Sequence, residues 1–267
     1  MIGKLTYLRW KETWRGPIWQ KNLIVNIILG ISLVYLLCNF LFIGFFLDDL
    51  LIQMVPNVSP MDTVNRYLIY YFGFDLVFRF FLQNMPLVSV QPLLHLPIRK
   101  NRLVIYLLNK TLPHYTNLVS LAIIVPFALE WEDYAPASEA IVWLVMLLAW
   151  IITSNFFSTG LKHQLGEKNN TPIILGLLFL SFLVVDILGL LNLSVYAQST
   201  FGTIVNYPVL LLLPISLAAG TYLWCFRLFR NALTLDHMGQ RVQQASAESS
   251  QMQALKKWGT WGDWYWN

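Results

Sequence analysis

The chain has 267 residues, of which 57% are hydrophobic and 12% charged, whereas about a quarter of residues are charged in ordinary soluble domains. That balance excludes a soluble globular domain and predicts an all-α integral membrane protein. Lys and Arg number 18 against 14 Asp and Glu, a net charge of +4; the excess lies in connections between apolar runs, so it speaks for orientation and anionic lipid rather than a nucleic-acid partner.

The first 21 residues carry Lys4, Arg9, Lys11, Arg15 and Lys21 among Leu5, Leu8, Trp10, Trp14 and Trp19. Trp and basic side chains together favour the headgroup layer, which predicts an interfacial amphipathic helix over 1–21. An ordinary juxtamembrane tail is the plainer alternative. Six runs then reach the roughly 20 apolar residues a span requires: about 22–47, 64–85, 103–129, 140–161, 171–193 and 205–229, with a polar, Trp-rich tail over 231–267. The first run is too long for a signal-peptide core and lacks a small-residue cleavage site, so it is expected to stay as an anchor.

The connections between these runs alternate in sign. Asp48, Asp49 and Asp62 mark the first, Arg99, Lys100 and Arg102 the second, Glu130, Glu132, Asp133 and Glu139 the third, and Lys162 and Lys168 the fourth. The fifth is uncharged, and Arg227 and Arg230 open the tail. Repeated positive-inside bias of this kind predicts six transmembrane helices with both termini cytoplasmic.

Within the spans, Asp75, Arg79 and Gln83 follow one another at four-residue spacing on one helix face. A charge at bilayer depth costs several kcal/mol, so the acid and base should pair and face protein or a water-filled cavity. The stripe lines a route, holds a partner span, or simply locks helices together. Asp186 has no local basic partner and is expected to be protonated, hydrogen-bonded across helices, or nearer the outer face than the run 171–193 places it. Lys110 and His114 read as side chains reaching the inner surface. The histidines share no metal-ligand spacing, Cys38 and Cys225 both fall in spans, and no nucleophile-and-base set stands at a common depth, so no metal, cofactor or catalytic site is predicted. There is no phosphate-cradling glycine loop either; nucleotide energy, if used, must be bound as ATP by another chain.

The connection from Pro86 to Arg102 differs from the other basic ones. Pro86, Pro92 and Pro97 fix bends, while Leu93, Leu94, Leu96 and Ile98 form an apolar ridge ringed by Arg99, Lys100 and Arg102. That composition suits either a knob docking in an acidic-rimmed groove or a loop lying on the inner leaflet. The run LLHLPIRKNRLVIYLLNK, from Leu93 to Lys110, resembles the segment after the second span of permease subunits in the type-2 ABC transporter superfamily. It departs from that pattern at His95 and Lys100. The chain also looks like the N-terminal half of a larger bacterial permease-like family.

The resemblance implies a permease subunit of an ABC-type exporter in the bacterial cytoplasmic membrane, itself without enzyme activity. It also implies a coupling helix docked on a cytoplasmic ABC-type ATPase and a second permease unit, as a homodimer or a fused half, within the lipid bilayer. A membrane scaffold or assembly factor, and a lipid-modifying membrane enzyme, remain the other readings.

Overall fold

The computed structural model describes residues 23–55, 58–83, 99–130, 136–165 and 171–233, which form helices and turns with no strand among them. The interfacial segment 1–21, the ridge residues Leu93, Leu94, Leu96, Pro97 and Ile98, and the Trp-rich tail beyond 233 lie outside the described residues. In chain order the helices are α1 (Leu23–Met54), α2 (Pro60–Leu82), α3 (Lys100–Thr111), α4 (Tyr115–Leu129), α5 (Ala137–Leu165), α6 (Thr171–Ile187) and α7 (Leu193–Asn206). A 3₁₀ turn (Pro208–Leu211) leads into α8, residues 212–233.

Three of these stretches are long and apolar enough to cross a membrane: Ile27–Met54, Ala137–Leu165 and Pro208–Leu233. The pair α3 and α4 makes a fourth if taken as one span, although it bends by 51°. Helix α2 has 23 residues but carries Arg66, Asp75 and Arg79 along its length, and α6 is short at 17 residues.

The helices depart from the sequence expectation in four places. The run 103–129 is broken at Leu112–His114, where Pro113 can neither donate a backbone hydrogen bond nor leave the preceding residue comfortably helical; His114 then starts α4 afresh, its ring accepting from Thr116 N. The run 171–193 ends at Ile187, after which Gly189 turns the chain at φ +71°. The uncharged connection that follows is itself a helix, α7, which buries Ala197, Phe201, Ile204 and Val205 at helical spacing. Helix α1 also runs on to Met54, taking Asp48 and Asp49 into its last turns.

Helix α2 begins where the sequence instructs it to. Ser59 accepts from Asp62 N at 3.1 Å and donates to the Asp62 carboxylate at 2.8 Å, with Pro60 in the first turn. Two apolar clusters hold the bundle. One joins α2, α4, α5 and α7 around Phe72, Phe127, Trp143 and Phe201; the other joins α3, α5 and α8 around Leu107, Phe156, Cys225 and Phe229. Close approach of helices depends on three glycines, one of them Gly73 of α2, where a Cβ would stand 2.6 Å from the Phe179 ring of α6. A Cβ on Gly44 of α1 would stand 2.5 Å from the Ile123 carbonyl oxygen of α4, and one on Gly160 of α5 would stand 2.2 Å from the Trp224 ring of α8. Small residues let membrane helices meet at this range.

Candidate functional site

Between the two apolar clusters lies a layer of buried polar side chains. Its centre is the stripe on α2. Arg79 Nε donates to Asp75 Oδ2 at 2.6 Å, one turn apart on the helix, with Arg79 fully buried and Asp75 nearly so. Arg79 Nη1 donates to Asn117 Oδ1 at 2.6 Å, and Asn117 Nδ2 donates to the Leu112 carbonyl at 2.6 Å. One arginine therefore ties α2 to the break between α3 and α4, and Asn117 satisfies the Leu112 carbonyl, whose helical donor, Thr116 N, is taken by the His114 ring.

Gln83, at the end of α2, continues the layer into α5. Its Nε2 donates to Asn155 Oδ1 at 3.3 Å and to Thr159 Oγ1 at 3.0 Å, while Ser158 Oγ donates to Gln83 Oε1 at 3.0 Å. Asn155 Nδ2 in turn donates to Thr111 Oγ1 at 2.9 Å, at the end of α3. Lys162 Nζ reaches the carbonyls of Phe80 and Gln83 at 3.0 and 2.7 Å. A cation at a helix C-terminus meets the negative end of the backbone dipole and satisfies carbonyls that lack helical donors. In hydrocarbon such unpaired groups cost several kcal/mol each.

Asp75, Arg79 and Gln83 are thus brought together, as their spacing predicts, and they join α2 to both the α3–α4 break and α5. Arg99, Lys100 and Arg102 stand exposed at the start of α3, Arg99 as its N-cap. Asp186 is hydrogen-bonded across helices: Tyr70 Oη donates to Oδ2, and Ser194 N in the first turn of α7 donates to Oδ1 at 3.3 Å. His114 caps α4 rather than reaching for a surface. Asp48, Asp49 and Glu130, from the first and third connections, line one groove together with Phe42, Phe45 and Phe46.

Sequence reasoning missed Asn117, Thr111, Asn155, Ser158, Thr159 and Lys162. Four of them had a signal: Asn155, Ser158, Thr159 and Lys162 fall at i, i+3, i+4 and i+7 within a run otherwise apolar, which puts them on one face of α5.

A second feature lies toward the N-terminal half of α2. A cavity of about 200 Å³ is bounded by α1, α2, α4 and α5, and its wall presents no polar atom to the space. Tyr71 Oη donates to Ser120 at 2.6 Å and Trp143 Nε1 to Asn65 at 2.9 Å, so their polar ends are engaged elsewhere while their rings line the wall. Leu68, Ile124, Phe127 and Trp143 are buried at the floor; Leu47, Leu51, Val64 and Tyr67, on α1 and α2, are half-buried or exposed at the mouth.

Neither the curated proteins nor the solved structures compared with this chain gave a match. A family model covers residues 9–267, nearly its whole length, and the chain therefore belongs to DUF5687, a family of unknown function.

Proposed function

We propose that this chain is a six-span permease subunit of an ABC-type exporter, with both termini in the cytoplasm of a bacterium and the bundle in its inner membrane. In this reading α2 and α6 cross the membrane with the longer helices, and ATP is bound and hydrolysed by a separate ATPase. The observation that carries the reading is the link at the second connection. Gln83, where the connection leaves α2, is joined through the single side chain of Asn155 to Thr111, at the end of α3 remote from the connection. A push on the connection, by a docked partner, would be delivered to the α3–α4 break and to α5 rather than absorbed by a loose loop. Asp75, Arg79 and Gln83 act here as a brace, since they spend their hydrogen bonds on neighbouring helices. Arg99, Lys100 and Arg102, with Leu93, Leu94, Leu96, Pro97 and Ile98, form the docking knob, and a second copy or a partner half completes the translocation route.

The test is purification in mild detergent at near-native expression. The reading expects a nucleotide-binding ATPase to accompany the chain and to be lost on Arg99→Glu, because charge reversal at an interface costs affinity through like-charge contact. An ATPase that never accompanies the chain, or one indifferent to Arg99→Glu, contradicts it.

A further inference from the structure

We infer that the cavity between α1, α2 and α4 is a receptor for a lipid hydrocarbon chain. Three observations converge. The wall offers no polar atom, so water, which requires two to four polar partners in such a space, has nothing to hold it. The volume, about 200 Å³, is below the roughly 300–1,000 Å³ of pockets that enclose a whole small molecule; it admits a length of alkyl chain and excludes a headgroup. Leu47, Leu51, Val64 and Tyr67, none of them buried, line the side formed by two helices that touch each other only sparingly.

By the expected span limits, Leu47 ends the first span and Val64 begins the second, so the mouth borders the edge of the hydrocarbon. Chain and wall are equally apolar, so water-driven burial supplies little of the attraction. The gain comes from filling a void whose lining otherwise lacks contact atoms on one side. Tyr71 and Trp143 contribute ring faces because Ser120 and Asn65 hold their polar ends away. This site stands apart from the permease reading, since a scaffold or an enzyme with the same helices would have the same void to fill.

The experiment uses the full chain in nanodiscs containing a trace of phosphatidylcholine with a diazirine near the end of one acyl chain. After irradiation, adducts are mapped by mass spectrometry. The expected result is labelling of Leu47, Leu51, Val64 or Leu68 severalfold above that of Ile174 and Leu178 on α6, which are exposed on their helix and report ordinary lipid contact. Val64→Trp, which fills the cavity, should bring the labelling down to the α6 level and leave α6 unchanged; Leu51→Phe, at the mouth, serves the same purpose if Val64→Trp does not fold. Labelling no higher than at α6, or unaltered by both filling substitutions, overturns the inference.

Discussion

The polar layer around Arg79 and the bare helix α6 treat their surroundings in opposite ways. In the layer, residues of high desolvation cost lie within the bundle and are joined to three other helical segments. Along α6, Ile173, Ile174, Leu177, Leu178 and Phe182 are exposed and no residue is buried, although Phe179 packs against Gly73 of α2. Soluble proteins order these the other way. In a bilayer the outward apolar surface costs nothing and contributes little, because lipid solvates it as well as protein would, whereas each inward polar group must be matched. Specificity of packing therefore resides in the layer.

The largest expected effect breaks that contrast at its centre. Arg79→Met leaves Asp75 buried and unpaired and should destabilise by about 3–5 kcal/mol. Adding Asp75→Leu should return most of that loss, since replacing both partners of a buried pair by apolar groups is often close to neutral; steric-trap or denaturant unfolding in detergent checks both. Next, Asn155→Leu strands Gln83 and Thr111 and should cost about 1–3 kcal/mol in the same assay. Gly160→Ala tests a close helix contact instead of a polar one. The Trp224 ring must shift to admit the methyl, and overpacking of that order costs about 1–3 kcal/mol. Smallest of all, Leu178→Ala on α6 should stay within about 0.5 kcal/mol, because the side chain is exposed. A large effect there would mean that α6 is covered by something other than lipid.

The fold was legible where one helix suffices to explain a residue. Asp75, Arg79 and Gln83 declare themselves by four-residue spacing, and Ser59, Pro60 and Asp62 announce the start of α2. The partners were not legible, because nothing local says that Arg79 meets Asn117 on another helix or that Gln83 meets Asn155. Helix α7 was hidden for a different reason: Thr, Ser, Val and Gly dilute its helical propensity, and its apolar face shows only against α2 and α5. Pro113 was the available signal for the broken span, outweighed by the hydropathy on either side of it. Asp186 illustrates the middle case, in which a cross-helix hydrogen bond was one of the readings open but its donor, Tyr70, was not identified.

Two cores separated by a polar layer also suggest how the chain divides its labour. The cluster around Phe127 and Trp143 borders the dry cavity, and the one around Leu107 and Phe229 packs α3 against α8. The layer between them holds the Asp75–Arg79 salt bridge.

The claim that this layer acts as one unit is tested most directly by a double-mutant cycle on Arg79→Met and Asn117→Leu, measured by unfolding in the same detergent. If the arginine holds the α3–α4 break through Asn117, the two losses fall short of additivity by about 0.5–3 kcal/mol, the range for side chains sharing a hydrogen bond. The parallel cycle of Arg79→Met with Leu178→Ala should be additive. Simple additivity of Arg79→Met with Asn117→Leu would contradict the account.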